Sequence, residues 1–118
     1  MNCPRCGKPI DEHEAGRETD ACFAVVVMGH VTQRTSVGGW LILDGAAALP
    51  YCSTDIAAAW VGILKFVGDI TSVEISGPCY VGEQWQVGVG LEDAEAPTAP
   101  LAIVRACLKA AAEQEGKT

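Results

Sequence analysis

The sequence predicts a small α/β protein, a layered α-β-α sandwich with element order α-β-α-β-β-α and an antiparallel hairpin in its sheet. Three observations carry the prediction. The segments STDIAAAWVGILKFVG at 53–68 and TAPLAIVRACLKAAAEQ at 98–114 place apolar residues at helical spacing behind capping residues. Two alternating runs, DITSVEIS and CYVGEQWQVGVGLE, flank Gly77-Pro78 as the arms of a hairpin do. At 118 residues, 49% of them apolar, the chain is long enough for one domain with a hydrophobic core and too short for two.

The elements follow in order. Residues 1–14 are polar and read as an N-terminal arm, with the sandwich domain spanning 15–118. In AGRETDACFAVVVM the acidic residues Glu18 and Asp20 lie in front and Gly29 follows the end, which favours a helix over a strand despite Val25-Val26-Val27. HVTQRTSVG reads as a loop or short edge strand. GGWLILDG reads as a strand covered on both faces, punctuated by Gly38, Gly39 and Gly45.

The second helix is capped by Ser53 or Thr54, with Asp55 in its first turn and Gly68 as its stop. Its predicted inner face holds Ile56, Trp60, Ile63, Leu64 and Val67, so Trp60 is expected in the core. In the hairpin, Trp85, Val87, Val89 and Leu91 oppose Gln84, Gln86, Gly88 and Gly90. The polar face, with Gln, Glu, Ser and Gly, is expected to meet solvent, a ligand or a second subunit. EDAEAPTAP then reads as an acidic loop, and Thr98 caps a last helix with Leu101, Val104 and Leu108 on its inner stripe.

Charge and composition exclude several classes. The net charge is −7, with 15 acidic residues against 8 basic, and the Lys and Arg residues are scattered. Phosphate neutralisation drives non-specific duplex binding, so nucleic acid is not an expected partner. No apolar run approaches the roughly 18 residues of a membrane span. The start, MNCPRCGK, lacks the pattern of a signal peptide, so a cytoplasmic location and reduced cysteines are expected.

The chemical candidates are few. CPRCG is one half of a zinc ribbon: the two thiolates of Cys3 and Cys6 can face one ion, and Gly7 permits the turn behind them. No second C-x-x-C follows. His13 is the nearest third ligand, and Cys22 or His30 can complete the four, unless two chains share the ion. Any zinc is expected to be structural. Cys52, Ser53, Asp55 and His30 are the only set tempting for nucleophilic catalysis, and nothing in the sequence places His30 beside the others. No phosphate-cradling glycine motif is present. Among the aromatic residues, Trp40, beside Gly38-Gly39, is the best platform for stacking a ring.

Four phrases together, AGRETDACFAVVVMG, LPYCSTDIAAAW, the Trp-containing hairpin and APTAPLAIVRACL, resemble the phage ABA sandwich domain family. These are small proteins of phages and prophages in which helices flank a sheet. The resemblance covers roughly residues 15–110 and departs at Cys52, where a Tyr usually precedes the Ser-Thr-Asp, and at Thr19, where a Leu is usual. It implies a phage accessory protein acting in the cytoplasm of a host bacterial cell.

Other small phage proteins sequester nucleotide signals of bacterial immunity. By that analogy the expected function is non-catalytic: a homo-oligomer that binds and sequesters a small anionic ligand of this kind. The expected ligand residues are Arg17, Arg34, Trp40 and Arg105, and the expected metal ligands Cys3, Cys6 and His13. The alternative is an adaptor whose zinc knuckle docks a host or phage protein.

Overall fold

The computed structural model describes residues 1–35, 39–42, 47–64, 73–78 and 83–116. Its centre is a helix buried nearly all round. Three α-helices are described: α1 (Arg17–Cys22), which runs on into a wider π-helical turn at Phe23–Val27, α2 (Ile56–Leu64) and α3 (Ala99–Gly116). Among the described residues, six short strands form two antiparallel sheets: β1 (Thr32–Arg34), β2 (Trp40–Ile42) and β3 (Ala47–Ala48), then β4 (Val73–Ser76), β5 (Trp85–Val89) and β6 (Glu92–Ala96).

Helix α3 is the core element because Leu101, Ile103, Val104, Cys107 and Leu108 cover its circumference and Ala102, Ala106 and Ala110 let neighbours approach closely. It packs on β5 and β6 on one side, and on α2 and the π-helical turn on the other. The predicted stripe of Leu101, Val104 and Leu108 is therefore part of an all-round burial.

The predicted hairpin is present. Val73 pairs with Val89 and Ile75 with Val87, so Val87 and Val89 face α3 while Glu74, Gln86 and Gly88 face away. The polar face carries the cross-strand bond Gln86 Nε2 to Glu95 Oε1 (2.9 Å). One expectation is corrected here: EDAEA is a strand, not a loop. A tight turn at Gly90-Leu91, with Gly90 at φ 65°, returns the chain so that Ala94 and Ala96 point into the core and Asp93 and Glu95 point out. Acidic and Ala residues have poor strand propensity, and burial of the two alanines overrides it. Leu91, expected on the inner face, sits at the turn tip and is exposed.

The second correction concerns α2. Of its expected inner residues only Ile63 is buried; Ile56, Trp60 (43%) and Leu64 (56%) are exposed, and Val67 lies outside the described residues. The helix instead approaches through Ala59, Gly62 and Ile63, because the Phe23 ring occupies the space where a Cβ at Gly62 would be. Packing through the small face turns the large residues outward. Its cap is also different: Asp55 Oδ1 accepts from the Ala57 N–H (2.9 Å), and Ser53 is buried elsewhere. Strand β3 was not anticipated; β2 pairs with both β1 and β3.

Candidate metal centre

The N-terminal arm folds back on itself and onto the domain. The Cys3 N–H donates to the Lys8 carbonyl and the Gly7 N–H to the Cys3 carbonyl (both 2.9 Å), with Gly7 at φ 77°, which only glycine adopts readily. Asn2 bridges to Pro9, and Ile10 enters the core. This knuckle presents Cys3 and Cys6 to the same side. A short 3-10 turn at Ile10–Glu12 then delivers His13, and the last residue of α1 delivers Cys22.

The ligand atoms of Cys3, Cys6, His13 and Cys22 all lie within 4.8 Å of one another. A tetrahedral zinc with Zn–S near 2.3 Å and Zn–N near 2.0 Å sets its ligands about 3.5–3.8 Å apart, so the cluster has the size such an ion needs. Cys3, His13 and Cys22 are buried and Cys6 is exposed, so the centre sits at the domain edge. The described cysteines are free thiols. Cys22, one of two candidates for the fourth ligand, thus joins the three predicted ones, and His30 is not in the cluster.

The surroundings of His13 suit a ligand. Its Nδ1 lies 3.0 Å from the Pro9 carbonyl, which can only accept, so Nδ1 carries the proton and Nε2 is left with its lone pair. That Nε2 lies 3.3 Å from Cys6 Sγ. The His13 carbonyl in turn accepts from Arg105 Nε (2.9 Å) and Nη2 (2.6 Å), while Lys109 Nζ pairs with Asp11 (2.7 Å). Two side chains of α3 therefore hold the turn that carries the histidine.

The thiols are unequal. Burial pushes Cys6 up, but the Lys8 backbone N–H, the neighbouring thiols and the Arg5 charge outweigh it and hold Cys6 below the ordinary thiol range. Burial pushes Cys22 up to about 12, against the opposing hydrogen bond from Arg5, with the charge of Cys3 adding to the rise. Zinc competes with these protons, so its binding releases them.

The expected ligand residues separate into two groups. Arg17 is committed to structure: it pairs with Asp20 Oδ2 (2.8 Å), donates to the carbonyls of Leu49 (2.5 Å) and Pro50, and stacks on Tyr51 (4.0 Å). Arg105 is equally committed, to the His13 and Glu95 carbonyls. Arg34 and Trp40 do come together, with the guanidinium 5.7 Å from the ring centre, and Arg34 is 67% exposed. A residue the sequence reading did not single out joins them: Arg5 lies 5.4 Å from the same ring. Its place between the two knuckle cysteines was the available signal.

Asp20 was also missed as more than a first-turn acid. It is buried, and its Oδ1 accepts from the Ser53 N–H (2.8 Å), the Ser53 Oγ–H (2.6 Å) and the Cys52 thiol (3.5 Å). Ser53 Oγ also accepts from the Gly16 N–H (3.0 Å). The phrases GRETD and CSTD thus meet as one buried network. His30 and Cys52 do line one apolar pocket of about 290 Å³, with Phe23, Met28 and Val61. Burial and the Asp20 carboxylate push the Cys52 thiol far above its ordinary value, so at neutral pH it is not a thiolate. The larger cleft, about 550 Å³, is lined by Asp11, Glu74, Asp93 and Glu95, and its two bases, Arg105 and Lys109, already serve β6 carbonyls.

Comparison with known proteins finds a structural likeness. The 2.0 Å crystal structure of a phage protein from Bacillus cereus ATCC 14579 superposes with a TM-score of 0.60 at 20% identity, covering 86% of this chain and 93% of that one. The chain shares that protein's fold. No protein-family model matches the sequence, and no curated protein matches it. No helix among the described residues is long and apolar enough to cross a membrane.

Proposed function

We propose that the chain is a non-catalytic phage accessory protein of the ABA sandwich type, which uses a structural zinc to fasten its N-terminal arm and sequesters a small anionic ligand. The zinc is held by Cys3, Cys6, His13 and Cys22; the convergence of these four on one point is the observation that carries the reading. It ties the knuckle to the end of α1 and does no chemistry, since four protein ligands leave no open position. The shared fold with a phage protein supports the accessory role.

The ligand patch in this proposal is Trp40 with Arg34, whose exposed guanidinium lies over the ring; Arg5 backs the same ring from the metal side, and Glu18 bridges the two arginines. The larger cleft is too acidic for an anion. The ligand class is that of the nucleotide immune signals of bacterial hosts. Purified protein is mixed with a panel of nucleotide second messengers, melted to record the thermal shift, and then heated to release what it holds. Intact messenger released by wild type and not retained by Arg34→Ala supports sequestration. Altered messenger makes the protein an enzyme, and no shift with any messenger sinks the ligand reading.

The exposed apolar side chains of α2, Ile56, Trp60, Val61 and Leu64, support the homo-oligomer. A two-fold axis brings one patch onto itself, and the absence of charge along this helix removes like-charge repulsion there. A monomeric mass by light scattering, unchanged in Trp60→Glu, contradicts it. The exposed knuckle tip at Cys6-Gly7-Lys8 favours a second reading, an adaptor that docks a protein through the knuckle. Partner capture that survives Cys3→Ser with Cys6→Ser excludes that reading.

A further inference from the structure

An ion held by three cysteines and one neutral histidine keeps one surplus negative charge, because three thiolates outweigh the two charges of zinc. A centre at a domain edge needs that charge balanced, and thiolates that accept a hydrogen bond are held in place by it. The side chain placed to do this is Arg5. Its Nη1 lies 3.4 Å from Cys22 Sγ and 3.3 Å from Glu18 Oε2, and only 22% of the side chain is exposed.

The rest of the Arg5 side chain is also constrained. Its guanidinium lies over Trp40, Glu18 lies within 3.9 Å of Arg34 through its other oxygen, and Arg34 covers the same ring. Trp40 itself packs on Ala21, Ala24, Ile42 and Leu49 of the second core cluster. A packed wall of the domain thus backs the arginine, and the knuckle that carries it is closed by the metal. Cys22 is the ligand that the arm does not supply, so a donor from the arm to Cys22 joins the two halves of the centre a second time.

We infer that Arg5 is a positioning residue of the metal centre: it donates to the Cys22 thiolate, offsets the surplus charge, and links metal occupancy to the Trp40–Arg34 patch. The inference rests on the zinc reading above. It explains why the Arg5 guanidinium is shared among a thiol, a carboxylate and a ring. It also means that Arg5 reaches the Trp40 ring only when the arm is fastened.

The test measures zinc affinity of the full chain by competition with a chromophoric chelator, and the thiolate-to-metal charge-transfer band of the cobalt form. Arg5→Ala is expected to weaken zinc binding by about 10–100-fold, the usual loss for an outer-sphere partner. Its cobalt band moves to longer wavelength, because a thiolate without its donor releases an electron more readily. Arg5→Lys, which keeps a charged donor, recovers part of both. Arg34→Ala, which removes the other guanidinium on Trp40 but touches no thiol, weakens zinc binding far less than Arg5→Ala and leaves the cobalt band in place. If Arg5→Ala fails to fold, Arg5→Gln takes its place with the same expectation of weakened binding. Wild-type affinity and an unmoved band in the Arg5 variants overturn the inference alone, with the zinc reading intact. A wild-type chain that takes up no zinc overturns both.

Discussion

Replacing Asp20 tests whether the GRETD and CSTD phrases are a structural lock or part of a site. Asp20 is buried and accepts four hydrogen bonds: two from Ser53, one from the Cys52 thiol and one from Arg17. Asp20→Asn keeps an acceptor for Ser53 but turns an amide N–H₂ or a neutral oxygen toward Arg17. Hydrogen bonds to a charged acceptor contribute about 1.5–3 kcal/mol and neutral ones about 0.5–1.5. Weakening the two Ser53 bonds and losing the Arg17 pair, discounted because Arg17 is 30% exposed, gives a loss of roughly 2–4 kcal/mol. At a urea m-value near 2 kcal/mol/M the unfolding midpoint falls by roughly 1–2 M, with m unchanged. Asp20→Ala strands the Ser53 N–H and hydroxyl in the interior and costs more. Equilibrium urea unfolding followed by circular dichroism decides the matter. An Asn variant as stable as wild type refutes the lock, and one that is stable but releases the anionic ligand assigns Asp20 to a binding site.

Two further expectations concern packing and pH. Gly62→Ala gains about 1 kcal/mol of helix propensity but forces a methyl into the Phe23 ring, an overpacking worth about 1–3 kcal/mol, so thermal melts should show net destabilisation. Gly62→Ala that melts higher than wild type contradicts the close contact. Burial pushes Cys107 from an ordinary value of 9.0 up to about 12. Its folded value is raised, so its contribution is complete below pH 9 and is lost as the pH climbs from 9 toward 12, where the unfolded chain ionises first. Melts under reducing conditions should therefore fall across that range, and Cys107→Val should flatten the fall; equal slopes in the two proteins count against the assignment.

Much of the fold was legible because its signals are local. Helix α3 has its cap and its apolar spacing, and β4 and β5 alternate on either side of Gly77-Pro78. What was not legible depends on partners distant in sequence. Glu92–Ala96 reads as a loop until Ala94 and Ala96 are seen against α3, and α2 reads as presenting Trp60 until Gly62 meets Phe23. The metal centre divides in the same way. Cys3 and Cys6 declare themselves by spacing, and His13 by proximity in the chain. Cys22 competes equally with His30 until the end of α1 is placed beside the knuckle. Arg105, expected at an anion, serves the His13 and Glu95 carbonyls instead, because the sequence shows a positive charge but not what already binds it.

The proposed metal centre is closed within one chain. The direct measurement is the zinc-to-chain ratio by elemental analysis, with native mass spectrometry to give the number of chains per ion. One zinc per chain is predicted, lost in Cys22→Ser and kept in Cys52→Ser, whose thiol bonds to Asp20 outside the cluster. Half a zinc per chain, or full occupancy in Cys22→Ser, contradicts it.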